Sequence, residues 1–137
     1  MDNHIIITEL DFVRLNNLIL FAQNNKTIES RNLNFLRQEI GRAKKVDASK
    51  MGADYVTMNS EIEILDLDTG KTMAVKLVYP QEADFRSGRI SILSPLGSAL
   101  LGYKVSSTIA FEVPKGTKRI KITKIIYQPE ANGEYTT

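Results

Sequence analysis

The apolar residues of this chain change their period near residue 50, from the spacing of helices to that of strands. Before that point Phe12, Leu15, Ile19 and Ala22 recur at alternating steps of three and four. Leu33, Leu36, Ile40 and Ala43 repeat the spacing. Residues three and four apart share a helix face, so each run is an apolar stripe on one helix. Thr8 supplies a hydroxyl cap for the first helix, and Glu9 and Asp11 suit the positive end of its dipole. The polar run Gln23-Asn24-Asn25-Lys26 ends it, and a second helix starts near Thr27 or Ser30. Two stripes joined by a short polar loop predict an antiparallel helical hairpin with a coiled-coil-like seam. Two amphipathic helices laid on a globular core would show the same period, because two heptads are too few to separate these readings.

Val46 to Asp54, with Asp47, Ser49, Lys50 and Gly52, reads as a linker. Strand signals follow. Ile62 and Ile64 alternate with acids, Asp68-Thr69-Gly70 makes a turn, and Thr72 to Tyr79 returns as a strand stopped by Pro80. Arg89 to Leu93 is a further strand. Ser94-Pro95 then opens a short helix that runs through Leu96 to Leu101 and ends at Gly102, with Ser as cap and Pro at the first helical position. Thr108 to Val113, the turn Pro114-Lys115-Gly116 and Arg119 to Tyr127 form a last hairpin. The expected class is α+β, with helices over residues 1–50 and a twisted, mostly antiparallel sheet with one short helix over 51–137.

Composition removes several function classes. With 137 residues and 42% apolar content the chain can bury a core. A net charge of +2 is far below the basic excess of a dedicated nucleic-acid binder. There is no cysteine, so disulfides and thiolate metal sites are excluded. The apolar run Ile5-Ile6-Ile7 is too short for a signal peptide, and no stretch reaches the roughly 20 apolar residues of a membrane span. A cytoplasmic protein with no membrane partner is expected.

Several clusters invite a chemical reading. Glu61, Glu63, Asp66 and Asp68 could be imagined around Mg²⁺, but acids alternating with core residues are what the solvated face of a strand requires. His4 is the single histidine, which leaves no His-based zinc set, and its place in an N-terminus expected to fray discounts a Ser/His/Asp triad. Gly97 and Gly102 match no phosphate-binding loop. Lys115, Lys118, Arg119, Lys121 and Lys124 gather near the last hairpin, where they can attract phosphate or simply guard a strand edge. Arg37, Arg42, Lys44 and Lys45 are open to the same two readings. No catalytic residue, cofactor site or metal site is expected.

Longer stretches of text carry a family resemblance. EADF at Glu82 to Phe85, ISILSPLGSALLGYKV at Ile90 to Val105, FEVPKG at Phe111 to Gly116 and IIY at Ile125 to Tyr127 resemble the C-terminal domain of the Gre transcript cleavage factors. YVTMNSEIEILDLDTG from Tyr55 to Gly70, LVYPQEAD from Leu77 to Asp84, the tail YQPEANGEY from Tyr127 to Tyr135 and the opening IIITELDFVRLNNLI resemble one branch of that family, the regulators of nucleoside diphosphate kinase.

The resemblance implies an FKBP-like α+β fold for the C-terminal part. It also implies docking at the mouth of the secondary channel of bacterial RNA polymerase core, through Leu93, Ser94, Pro95, Leu96 and Gly97. The helices would form an arm that enters the channel, near the DNA and RNA of the transcription complex. In cleaving members the arm is long and acid-tipped, and helps to hold a Mg²⁺ at the polymerase active centre. Here each helix has room for about 16 residues, or about 24 Å. The tip, with Asn24, Asn25, Lys26 and Glu29, offers a single acid, too few oxygens for the octahedral shell of Mg²⁺. A monomeric regulator that binds polymerase, competes with Gre-type factors and does not stimulate cleavage is expected. Two alternatives are a prolyl isomerase, given the implied fold, and a nucleic-acid-binding module built on the basic hairpin.

Overall fold

Thr8 caps the first helix as its hydroxyl allows, with Oγ1 accepting from the Asp11 backbone N–H at 3.0 Å. The structure, a computed structural model, describes residues 5–23 and 30–135. Strand β1 (Ile6–Thr8) leads directly into helix α1 (Glu9–Gln23), and helix α2 (Ser30–Arg42) leads almost directly into strand β2 (Lys44–Val46). The two short strands pair in parallel, Ile6 opposite Lys44 and Thr8 opposite Val46. Part of the stretch that reads as a linker is therefore ordered. Val46 belongs to this ladder, and Ala48–Lys50 form one 3-10 turn capped by the Asp47 side chain.

The remaining chain builds a five-stranded sheet from β3 (Glu61–Asp66), β4 (Thr72–Val78), β5 (Arg89–Ser91), β6 (Thr108–Val113) and β7 (Gly116–Tyr127), in the order β5-β4-β3-β7-β6. The β4–β5 pair is parallel and the other three are antiparallel. Register shifts in the β3–β7 ladder, at Glu61/Ile62 and Glu63/Ile64, are bulges that curl the sheet. Helix α3 (Pro95–Leu100) crosses between β5 and β6. The expected strand through Leu93 stops at Ser91, because the Ser91 hydroxyl accepts from the Leu93 N–H and turns the chain towards the helix cap.

Period decides which side chains are buried. Ile62, Ile64, Ile120 and Ile122 are buried on the inner face of β3 and β7, while Glu61, Arg119 and Lys121 are exposed. Leu15, Ile19, Leu36 and Ile40 from the two helices join these residues, with Leu77, Ile92 and Leu100, in one apolar cluster. Each such side chain contributes roughly 1.5–3 kcal/mol on burial.

Gly102 is where β1 seats on this core. It takes φ +84°, and a Cβ there would lie 2.9 Å from the Ile5 Cβ. The close approach lets the Ile6 N–H donate to the Gly102 carbonyl at 3.0 Å, while the Gly102 N–H donates to Val56 O at 2.9 Å. Lys44 N–H donates to Ile5 O at 3.0 Å, so β2 is carried on β1.

Candidate functional site

The Ser94-Pro95 helix start forms as its residue types dictate. Ser94 Oγ accepts from the Gly97 N–H at 3.0 Å and donates to Ser91 O at 2.7 Å, and Pro95 occupies the first helical position. Pro95 is exposed and Leu93, Ser94 and Leu96 are half-buried, so all four reach the surface at the helix start. Gly97 is buried, and a Cβ there would run into the Ser91 carbonyl oxygen. Gly97 therefore shapes the surface from beneath. Ser98 fastens the far side by donating to Ile92 O at 2.7 Å.

The base of the helices carries a second polar arrangement. Asp11 is 2% exposed and its Oδ2 accepts from the Met58 N–H at 3.2 Å, tying the first turn of α1 to the approach to β3. Burial pushes the Asp11 carboxyl up to about 7. The Met58 hydrogen bond, the Arg14 charge and Thr8 oppose this, and the Glu130 charge adds to it. Tyr79 lies in the same neighbourhood. Its phenol is raised by burial first and by the Asp11 charge second, with Arg14 opposing. Glu130 accepts from Thr57 Oγ1 at 2.7 Å, so the C-terminal segment closes the group. Gln128, also buried, donates to Gly52 O and Tyr55 O at 2.8 and 2.7 Å.

At the end of α2, Arg42 forms a two-pronged pair with Glu39, 2.7 Å through Nε and 3.0 Å through Nη2. The Tyr103 hydroxyl accepts from Arg42 at 3.1 Å and donates to Glu39 at 3.3 Å. This links α2 to the residue after Gly102. Asp11 and Tyr103 were both missed as site candidates in the sequence. Asp11 already had a sufficient reason to stand at a helix N-terminus, and Tyr103 sits 61 residues from Arg42.

The acidic and basic clusters that invited chemical readings meet each other. Lys118 Nζ lies 2.7 Å from Asp66 Oδ2, and Arg119 lies 3.4 Å from Asp68. The Lys118 contact holds the Asp66 carboxyl below its usual range, and the same contact raises the Lys118 ammonium. Asp66 Oδ1 also accepts from the N–H groups of Asp68 and Thr69, which builds the β3–β4 turn. Glu63 accepts from Thr123 at 2.7 Å. Among the described residues no group of three or more His, Asp or Glu side chains is placed to hold a metal ion, and no helix is long and apolar enough to cross a membrane.

The tip residues Asn24, Asn25, Lys26 and Glu29, and His4, lie outside the described residues. Of the aromatics available for a prolyl isomerase pocket, Tyr79, Tyr103 and Phe111 pack against the core and Phe85 is 75% exposed. A surface depression of about 500 Å³ lies between Asp68 and the Pro114-Lys115 turn, and one of about 350 Å³ lies beside Lys76 and Arg89. Neither is lined by an aromatic side chain.

Residues 51–127, which hold the sheet and α3, match the family model described as "Transcription elongation factor, GreA/GreB, C-term". The chain belongs to the GreA/GreB transcription elongation factor family. It is similar to the regulator of nucleoside diphosphate kinase of Escherichia coli (strain K12), at 36% identity over 101 residues, 73% of this chain and 74% of that protein. It is also similar to transcription elongation factor GreA of Bradyrhizobium diazoefficiens, at 39% identity over 90 residues, 66% of this chain and 57% of that protein. A solved structure, the GreA/GreB transcription elongation factor from Nitrosomonas europaea, superposes with a TM-score of 0.72 at 31% identity, over 92% of this chain and all of that one. The GreA/GreB membership makes the role transcription-factor-like, and the relatives are named as regulators and elongation factors.

Proposed function

We propose that this chain binds bacterial RNA polymerase core at the entrance of the secondary channel, competes there with Gre-type cleavage factors, and does not itself stimulate transcript cleavage. The Ser94-capped start of α3 carries the reading. A hydrogen-bonded cap, an exposed Pro95 and the flanking Leu93 and Leu96 make a mixed apolar and polar patch on the part of the chain that matches the family. Docking residues held by packing and hydrogen bonds bind with less ordering cost.

The helices act as a short antiparallel hairpin arm whose apolar residues join the core of an FKBP-like sheet domain. α1 has 15 residues and α2 has 13, about 22 and 20 Å at 1.5 Å per residue. Between them the sequence offers Glu29 as the single acid, with Lys26 opposing metal binding. Such an arm delivers too few oxygens to hold a second catalytic Mg²⁺.

The experiment is capture of purified polymerase core by the wild-type chain and by the Ser94→Arg/Pro95→Ala double variant, with and without an excess of a Gre factor. Wild type should bind and be displaced by the Gre factor, and the double variant should bind at least tenfold more weakly with unchanged circular dichroism. Unchanged binding by a folded double variant would place the docking surface elsewhere.

A further inference from the structure

The two edges of the five-stranded sheet are guarded very differently. The β5 edge is three residues long and begins with a charged Arg89. The β6 edge, Thr108-Ile109-Ala110-Phe111-Glu112-Val113, is twice as long and holds a single charge. Short, charged edges resist strand addition, and long edges of high β-propensity invite it.

The hairpin register fixes which backbone groups of β6 face outward. Val113 stands opposite Gly116 across the two-residue loop Pro114-Lys115, which makes that pair a hydrogen-bonded one. Bonded and non-bonded pairs alternate, so Phe111 with Lys118 and Ile109 with Ile120 are also bonded. The N–H and C=O groups of Thr108, Ala110 and Glu112 then point away from β7. No described residue makes a hydrogen bond to them, and their side chains are exposed.

We infer that β6 is a self-pairing edge, on which a second copy of this chain adds its own β6 antiparallel about a two-fold axis at Ala110. The partner must be an extended strand, because the outward groups form a row with strand spacing. The sequence of β6 complements itself in this register. Thr108 meets Glu112 of the second copy, Ile109 meets Phe111, and Ala110 meets Ala110. The three outward-facing residues supply the bonded pairs, about six backbone hydrogen bonds in all. Ile109 beside Phe111 on the core face is a favoured β-branched–aromatic pair, and no like charges stand opposite each other. The product is one continuous sheet through both copies. So small an interface, well below the size of stable protein complexes, holds weakly. At low concentration the chain is the monomer its sequence suggests.

Sedimentation from about 10 µM to about 1 mM tests the pairing. The wild-type mass should rise from 15.4 kDa towards twice that value. Ala110→Lys and Ala110→Glu each place like charges face to face on the axis and should stay monomeric, with circular dichroism confirming the fold. An equimolar mixture of the two should pair again, because Lys then meets Glu. A monomeric wild type at every concentration overturns the inference. So does a dimer that both variants keep, which would put the contact elsewhere. If Ala110→Lys loses polymerase binding while wild type never dimerises, the edge serves polymerase and not a second copy.

Discussion

The two groups of acids in this molecule have opposite fates. Asp11 is 2% exposed and carries a carboxyl raised to about 7, while Asp66 and Asp68 stand on an outer turn paired with Lys118 and Arg119. Both groups accept backbone N–H bonds, so hydrogen bonding does not separate them. Burial does. At Asp11 the cost of taking a charge out of water exceeds what Met58, Arg14 and Thr8 return. At the outer turn water remains and an ammonium arrives, so the carboxylate is favoured. The inner acid bears on the seating of the helices, and the outer acids shape a turn.

The largest expected effect breaks this contrast through pH. The folded-state carboxyl of Asp11 is raised, so its contribution is fully present below the unfolded value near 3.8 and is lost as pH rises through about 7. Asp11→Asn keeps an acceptor for Met58 and removes the charge. Urea midpoints should show the variant gaining on wild type by roughly 3 kcal/mol between pH 5 and pH 8. A constant difference across that range would mean that Asp11 stays ionised.

Gly102→Ala comes next. The residue adopts φ +84° and its new methyl would press on Ile5, so a loss of about 2–3 kcal/mol is expected, and hydrogen exchange should speed at Ile6 and Lys44 before the rest of the sheet. Tyr103→Phe removes one hydroxyl from the Arg42–Glu39 pair while leaving its ring packed. A thermal scan should register about 1 kcal/mol. Smallest of all, Asp68→Asn should leave the melting midpoint unchanged within error, since exposed pairs contribute little. A large loss there would make the outer turn as structural as the inner joint.

Local chemistry was legible in the sequence. The Thr8 and Ser94 caps, Pro95 at the helix start, the Asp68-Thr69-Gly70 turn and the inward Ile pairs all depend on near neighbours and form as expected. Long-range pairing was not. β1 and β2 have three residues each, too few to show a period, and β1 reaches the core where Gly102 lets it approach. Asp66 and Lys118 lie 52 residues apart and meet through the β3–β7 register, so their charges looked unrelated. The choice between a separate hairpin and helices laid on a core was open in the periodicity. Leu15, Ile19, Leu36 and Ile40 share one apolar cluster with the sheet. On the candidate docking surface the cap was readable, but the burial of Gly97 was not, because it depends on how closely Ser91 passes beneath.

Transcript cleavage in stalled, backtracked elongation complexes with labelled RNA tests the proposed role most directly. This chain alone should leave the RNA intact, and an excess added with a Gre factor should slow that factor's cleavage in proportion to its displacement. Rapid cleavage by this chain alone, abolished by Glu29→Gln, would contradict the proposal and make it a short-armed cleavage factor.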